Sequence, residues 1–334
     1  MDARSPSLVV VVPRPSRATL QTRRIVATRR GVSCFRARCC CEVLVVPAPW
    51  RPSRLTVHRK QDRRTRENSV NTPLPFVVQL IQPEWPAPPN IHAAMTTRRG
   101  GVSCAPYDEL NLGYSTQDDR ASVVENEMLV AAAIRVQTEA IRWVYQVHGV
   151  DARHAESLPV NAPLGATTIM GDAIVSHTAG LVCGIKIADC MPVLFAARDG
   201  SAVGAAHAGW RGLSGGVLEN TVAAMGTDPG EIVAWMGPCI GPKAFEVGED
   251  VRDAFVRNDA RAASHFSPRA TPGKFLCDMY SIARLRLAAM GIDHVTGGDY
   301  CTFDQPELFF SHRRKPLTGR MAAFVWINPD RDAA

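Results

Sequence analysis

Leu181-Val182-Cys183-Gly184-Ile185-Lys186-Ile187-Ala188-Asp189-Cys190-Met191-Pro192-Val193-Leu194-Phe195-Ala196-Ala197 is the stretch whose pattern decides the fold. Leu181, Cys183, Ile185 and Ile187 recur at a spacing of two, so they share one face of a strand, and Cys183 reads as core. The alternation stops at Ala188-Asp189-Cys190, and a second apolar run starts at Met191. Residues 202–206 form a further short strand that places His207 at its exit. Cys190 and His207 therefore belong to neighbouring strand ends.

Working outward, residues 141–147 make a strand whose end delivers His148, and residues 91–97, 232–236 and 324–327 are strands as well. Helical spacing predicts a helix over 118–135, with Val123 or Val124, Met128, Ala131 or Ala132, and Ile134 on one side. Leu218, Val222 and Met225 predict another over 214–225. A third, over 278–290, buries Ile282, Leu285 and Ala289 and stops at Gly291. Phe245, Val251 and Phe255 fit a helix interrupted near its start by Gly248. Mixed strands and helices with no obvious linker give an α+β class and one domain over residues 73–330.

The formal charge of +6 over 334 residues hides a split. Residues 1–70 hold 16 of the 38 Lys and Arg but 4 of the 32 Asp and Glu, a local net of +12, and the remainder carries −6. The folded part is thus not expected to bind nucleic acid. The Arg-rich, proline-broken segment 1–72 has little apolar area to offset ordering and is expected to be a disordered basic leader. No apolar run reaches the length of a membrane span, and residues 8–12 are too short for a signal-peptide core. The ten cysteines show no tight disulfide framework, so a reduced, cytoplasmic setting is expected.

Two imidazoles, His148 and His207, and the Cys190 thiolate make a three-ligand zinc set with room for an exchangeable fourth position. Either histidine alone reads better as an ordinary structural residue; similar glycine-rich or strand-end contexts set the three apart. A zinc held there lowers the pKa of bound water, with Asp172 and Asp189 as bases or orienting groups. For Asp189 that role needs a turn, because neighbours in extended backbone point apart. The same residues also fit a different chemistry: Cys190 as nucleophile with a histidine as base. Arg98, Arg211, Arg313 and Arg314 are candidate anion ligands, since guanidinium forks match planar oxyanions. No Walker P-loop is present. Cys239 reads as a structural thiol.

These segments, together with Thr97-Arg98-Arg99-Gly100-Gly101-Val102-Ser103, Pro106-Tyr107-Asp108-Glu109-Leu110-Asn111-Leu112-Gly113, Gly171-Asp172-Ala173 and Phe309-Phe310-Ser311-His312-Arg313-Arg314, closely resemble the bacterial polyphenol oxidase or laccase-domain family. That family is also described as zinc-dependent purine nucleoside phosphorylases. The resemblance covers roughly residues 75–329. It implies a single layered α/β sandwich with mixed sheets, with His148, Cys190 and His207 as zinc ligands. It further implies phosphorolysis of adenosine, inosine or methylthioadenosine, with adenosine deamination as an added activity. On that reading Arg98 and Arg211 hold phosphate, Asp172 or Asp189 moves protons, and Asn111, Tyr107 and Arg313 contact the nucleoside. His312 stands where relatives often show tyrosine. The older family name implies copper and phenol oxidation, but the chain has no repeated His-x-His tract. A noncatalytic, zinc-stabilised interaction protein is the remaining alternative.

Overall fold

The computed structural model describes residues 77–159 and 167–329; the basic leader expected over 1–72 lies outside them. The first elements are β1 (Leu80–Ile81), β2 (Ile91–Thr96), α1 (Arg120–Ala133), β3 (Ile141–Arg142), β4 (Ala152–His154) and β5 (Ala173–Ser176). The centre holds β6 (Val182–Ile187), β7 (Met191–Ala197), β8 (Val203–Ala208), α2 (Trp210–Gly215), α3 (Val217–Met225) and β9 (Ile232–Met236). Then follow β10 (Glu246–Gly248), α4 (Glu249–Val256), β11 (Phe266–Pro268), β12 (Lys274–Cys277), α5 (Met279–Ala289), β13 (His294–Gly297) and β14 (Met321–Ile327).

Two mixed sheets form the centre. One runs β1-β2-β14-β6-β3, the other β13-β9-β7-β8-β5-β4, and a small antiparallel sheet runs β10-β12-β11. Side-chain alternation explains the layering. On β14, Met321, Ala323, Val325 and Ile327 enter the core between the sheets, while Ala322, Phe324 and Trp326 face the outer core. That outer core contains Val130, Ala131 and Ala133 of α1. On β7, Leu194 and Ala196 face the inter-sheet core, whereas Val193 and Phe195 pack with Leu218, Val222 and Leu287 of the helical layer. The result is helix, sheet, sheet, helix. Cys183, Ile185 and Ile187 of β6 lie together in the inter-sheet core, as their spacing predicts.

Several elements differ from the sequence reading. The helix expected over 214–225 is divided, because Gly216 takes a left-handed φ of +105° between α2 and α3. In α1, Met128 is exposed, and the buried face instead includes Asn126 and Glu127, each hydrogen-bonded to neighbouring loops or rings. The strand expected over 141–147 ends at Arg142. Beyond it, Tyr145 makes an isolated bridge to Met170, and the chain turns.

Candidate metal centre and cleft

Three backbone devices bring the ligands together. The β6–β7 turn carries Cys190, with Asp189 before it at a left-handed φ of +91°. His207 is the penultimate residue of β8, paired in register with Pro192 of β7. His148 occupies the loop between β3 and β4 with φ +62°, so a turn presents its ring where the expected strand end does not. The donor atoms of His148, Cys190 and His207 all lie within 4.8 Å of one another. Cys190 Sγ is 3.7 Å from His148 Nε2, and the two imidazole centroids are 4.9 Å apart.

Asp172 organises this cluster from behind. One of its oxygens accepts from His207 Nδ1 at 2.8 Å, which leaves Nε2 of that ring for a ligand. The carboxylate also accepts from the backbone N–H groups of Val147, His148 and Gly149. Its backbone carbonyl accepts from His207 N–H at 2.7 Å. Burial favours the neutral acid, but His207 and these N–H donors outweigh it and hold the carboxyl below its ordinary range. Burial would likewise raise the Cys190 thiol; the His207 charge and hydrogen bonds from both imidazoles bring it down to about 6. Against its own burial, His207 is raised to about 9 by Cys190 and Asp172.

These features fit a divalent metal of borderline softness. Donors about 2.0–2.3 Å from a shared tetrahedral ion lie roughly 3.5 Å apart, a spacing the Cys190–His148 pair already meets. The thiol is poised to ionise, and the second imidazole has the carboxylate partner usual behind a metal-bound histidine. Gly209 keeps the space clear: a Cβ there would lie 2.9 Å from Cys190 Sγ and 3.1 Å from His148 Cδ2.

The cluster opens into a cleft of about 680 Å³ that is also lined by Tyr145, Lys186, Asp189, Arg211, Arg313 and Arg320. Arg211 stacks on Trp210, and Arg313 lies over Phe245 while donating to the Glu246 carbonyl. Asp189 accepts from the Thr302 hydroxyl and the Arg313 N–H, which ties the Cys190 turn to the loop after β13.

Other residues expected at the site stand outside this lining. Arg98 is committed to Asp108 and the Pro306 carbonyl and packs over Phe310. Asn111 is fully buried and bonds Thr116, Asp118 and the N–H groups of Gly113 and Arg320, so it braces a loop. Tyr107 is buried and does not line the cleft. Arg314 donates to the carbonyls of Thr302, Phe303 and Phe309. Asp172 sits behind His207 and also does not line the cleft. Conversely, Lys186 and Arg320 line it without having been singled out. For Lys186 the available signal was a lone charge inside an otherwise apolar strand.

Comparison with known proteins agrees with this arrangement. A family model described as multi-copper polyphenol oxidoreductase laccase matches residues 92–328. A purine nucleoside phosphorylase of Pseudomonas aeruginosa is 47% identical over 247 residues, covering 74% of this chain and 98% of the relative. The purine nucleoside phosphorylase YfiH of Escherichia coli is 46% identical over 249 residues, covering 75% and 99%. Among solved structures, a Neisseria meningitidis protein superposes with a TM-score of 0.69 at 42% identity, covering 75% of this chain and 99% of that one. YlmD from Geobacillus stearothermophilus gives 0.67 at 31% identity, covering 75% and 96%. With a layered fold, an open His-Cys-His cluster and relatives matched over nearly their whole length, the chain belongs to the laccase-domain family that includes the YfiH purine nucleoside phosphorylases.

Proposed function

We propose that residues 73–330 form a zinc-dependent purine nucleoside phosphorylase acting on adenosine, inosine and methylthioadenosine, with an associated adenosine deaminase activity. The observation that carries this reading is the His148–Cys190–His207 cluster opening into a cleft rich in arginine. Zinc held by those side chains supplies a Lewis acid and lowers the pKa of a water in its open position.

The chain's own groups divide the remaining work. Asp172, with its oxygens taken by His207 and three backbone N–H groups, positions the ligand ring and does not contact substrate. Asp189, which lines the cleft while accepting from the Thr302 hydroxyl and the Arg313 N–H, is the carboxylate assigned in this scheme to proton exchange with the purine. In phosphorolysis a phosphate oxygen bonds to ribose C1′, the C1′–N bond breaks, and the purine leaves with a proton. Arg211 stabilises the phosphate charge in this scheme, and Arg313 flanks the nucleoside. In deamination water adds at purine C6 and ammonia departs.

Adenosine supplied to the zinc-loaded protein with and without phosphate separates the activities. Phosphate-dependent adenine and ribose 1-phosphate support phosphorolysis; inosine supports deamination. Neither product from metal-loaded protein rejects the proposal. A thiolate with two imidazoles is also a recognised copper donor set, which keeps phenol oxidation as the second reading. Copper-dependent oxygen consumption without purine turnover would favour it. Cys183, Cys190, Cys239, Cys277 and Cys301 are free thiols, which supports a reducing, cytoplasmic setting.

A further inference from the structure

The cleft has a second built corner that the metal cluster does not use. Gly184 and Lys186 lie on the face of β6 opposite Cys183, Ile185 and Ile187. A Cβ on Gly184 would sit 2.7 Å from Trp143 Cζ3, so the bare backbone at that position seats the indole against the strand. Lys186 Nζ lies 4.1 Å from the Trp143 ring centroid and 4.8 Å from that of Tyr114. Glu127, buried on α1, fixes both rings: Trp143 Nε1–H donates to one oxygen at 2.7 Å and the Tyr114 hydroxyl to the other at 2.9 Å. Gln146 holds the Lys186 backbone through both its N–H and its carbonyl.

This cage stabilises the ammonium with aromatic faces and leaves its donors unmet. Among the described residues, neither Lys186 Nζ nor the guanidinium of Arg120 has a hydrogen-bond acceptor or ion-pair partner; both rest on ring faces. Arg120, the first residue of α1, lies over Tyr114 at 5.4 Å and lines the same cleft. The nearby carboxylate, Glu127, already has both oxygens engaged by the rings. Burial pushes Lys186 down to about 8 despite the opposing charge of Glu127, so the cage holds the cation at a cost that a bound anion would offset. Lys186 precedes Cys190 by four residues, about 13 Å of extended chain at most, and both line the one cleft.

We propose that Lys186 and Arg120 form a phosphate-binding subsite, taking either inorganic phosphate or the phosphate of a nucleoside 5′-monophosphate. The proposal deepens the phosphorylase reading and rests on it for the choice of ligand. Calorimetric titration of the zinc-loaded full chain with phosphate, adenosine 5′-monophosphate and adenosine tests it, using wild type, Lys186→Met, Lys186→Arg and Arg120→Ala. Lys186→Met is expected to weaken one phosphate ligand at least about tenfold, to leave adenosine within about twofold, and to be rescued in part by Lys186→Arg. An effect on inorganic phosphate identifies the co-substrate site; an effect confined to the monophosphate identifies a nucleotide site. Arg120→Ala, at an exposed position, is expected to weaken the same ligand and serves as the test should Lys186→Met fail to fold. Unchanged phosphate and monophosphate binding in both variants, equal losses for adenosine, or no binding of either anion to wild type would overturn the proposal. Lys186-dependent phosphate binding without adenine release in turnover would instead reject the phosphorylase reading and leave the subsite standing.

Discussion

Asp172 accepts from three consecutive backbone N–H groups and one imidazole, so a single buried carboxylate sets both the His148 loop and the His207 ring. Asp172→Asn replaces one acceptor by a donor facing those N–H groups. Zinc affinity should fall by about 10–100-fold, as for other carboxylates behind metal-bound histidines, when measured by chelator competition. Unchanged affinity would show that this carboxylate does not position the ligand. Gly209→Ala tests the same geometry from the opposite side. Its Cβ would meet Cys190 Sγ at 2.9 Å, and a sulfur held by a metal cannot swing away as a free side chain could. Lower metal occupancy by elemental analysis, with the melting temperature little altered, is the expected outcome; full occupancy would mean the space is not needed. His148, Cys190 and His207, which the fold brings together, stand out in the sequence because each interrupts a pattern at a strand end or a glycine-rich turn. Arg98, Asn111 and Tyr107 do not line the cleft, and residue type does not reveal that a guanidinium is committed to Asp108 and Pro306.

At the level of elements, the two faces of β6 do different work. One joins the inter-sheet core, and the other carries Gly184 under Trp143 beside Lys186. Gly184→Ala should destabilise the fold by about 1–3 kcal/mol in urea denaturation, the usual cost of forcing an atom into a packed core. No loss would mean that Trp143 shifts freely. The turn after β5 makes a second prediction. The Glu156 carboxylate accepts from the Ser176 hydroxyl and the N–H groups of His177 and Thr178. Burial raises its pKa, but these donors more than reverse that and leave it at about 2, against an ordinary 4.5. A lowered carboxyl pKa means that its stabilisation is complete above pH 4.5 and disappears as the pH falls through 2. Melting curves of Glu156→Gln should therefore lose less temperature than wild type across that interval; parallel losses would contradict the assignment. Ile232–Met236 was readable to the residue, whereas β14 begins at Met321, three residues before the expected start at 324. The three-stranded sheet of β10, β12 and β11 was not readable, since strands of three or four residues are too short to display a period.

Across the whole molecule, the helix–sheet–sheet–helix order gives β6, β7 and β8 rigid neighbours and places the turn and strand end that bear Cys190 and His207 at one edge. The α+β class followed from alternating strand and helix patterns, and the mixed sheets from the family resemblance. The turn that presents His148 to Cys190 and His207 was not legible, because it depends on a positive φ and on Asp172, and no local pattern encodes either. No helix among the described residues is long and apolar enough to cross a membrane. The account turns on whether these three side chains close on one ion. Elemental analysis of purified wild type, His148→Ala, Cys190→Ser and His207→Ala, each confirmed folded by circular dichroism, addresses this directly. About one zinc per wild-type chain and its loss in each variant is the predicted result; stoichiometric zinc retained in all three variants would contradict it.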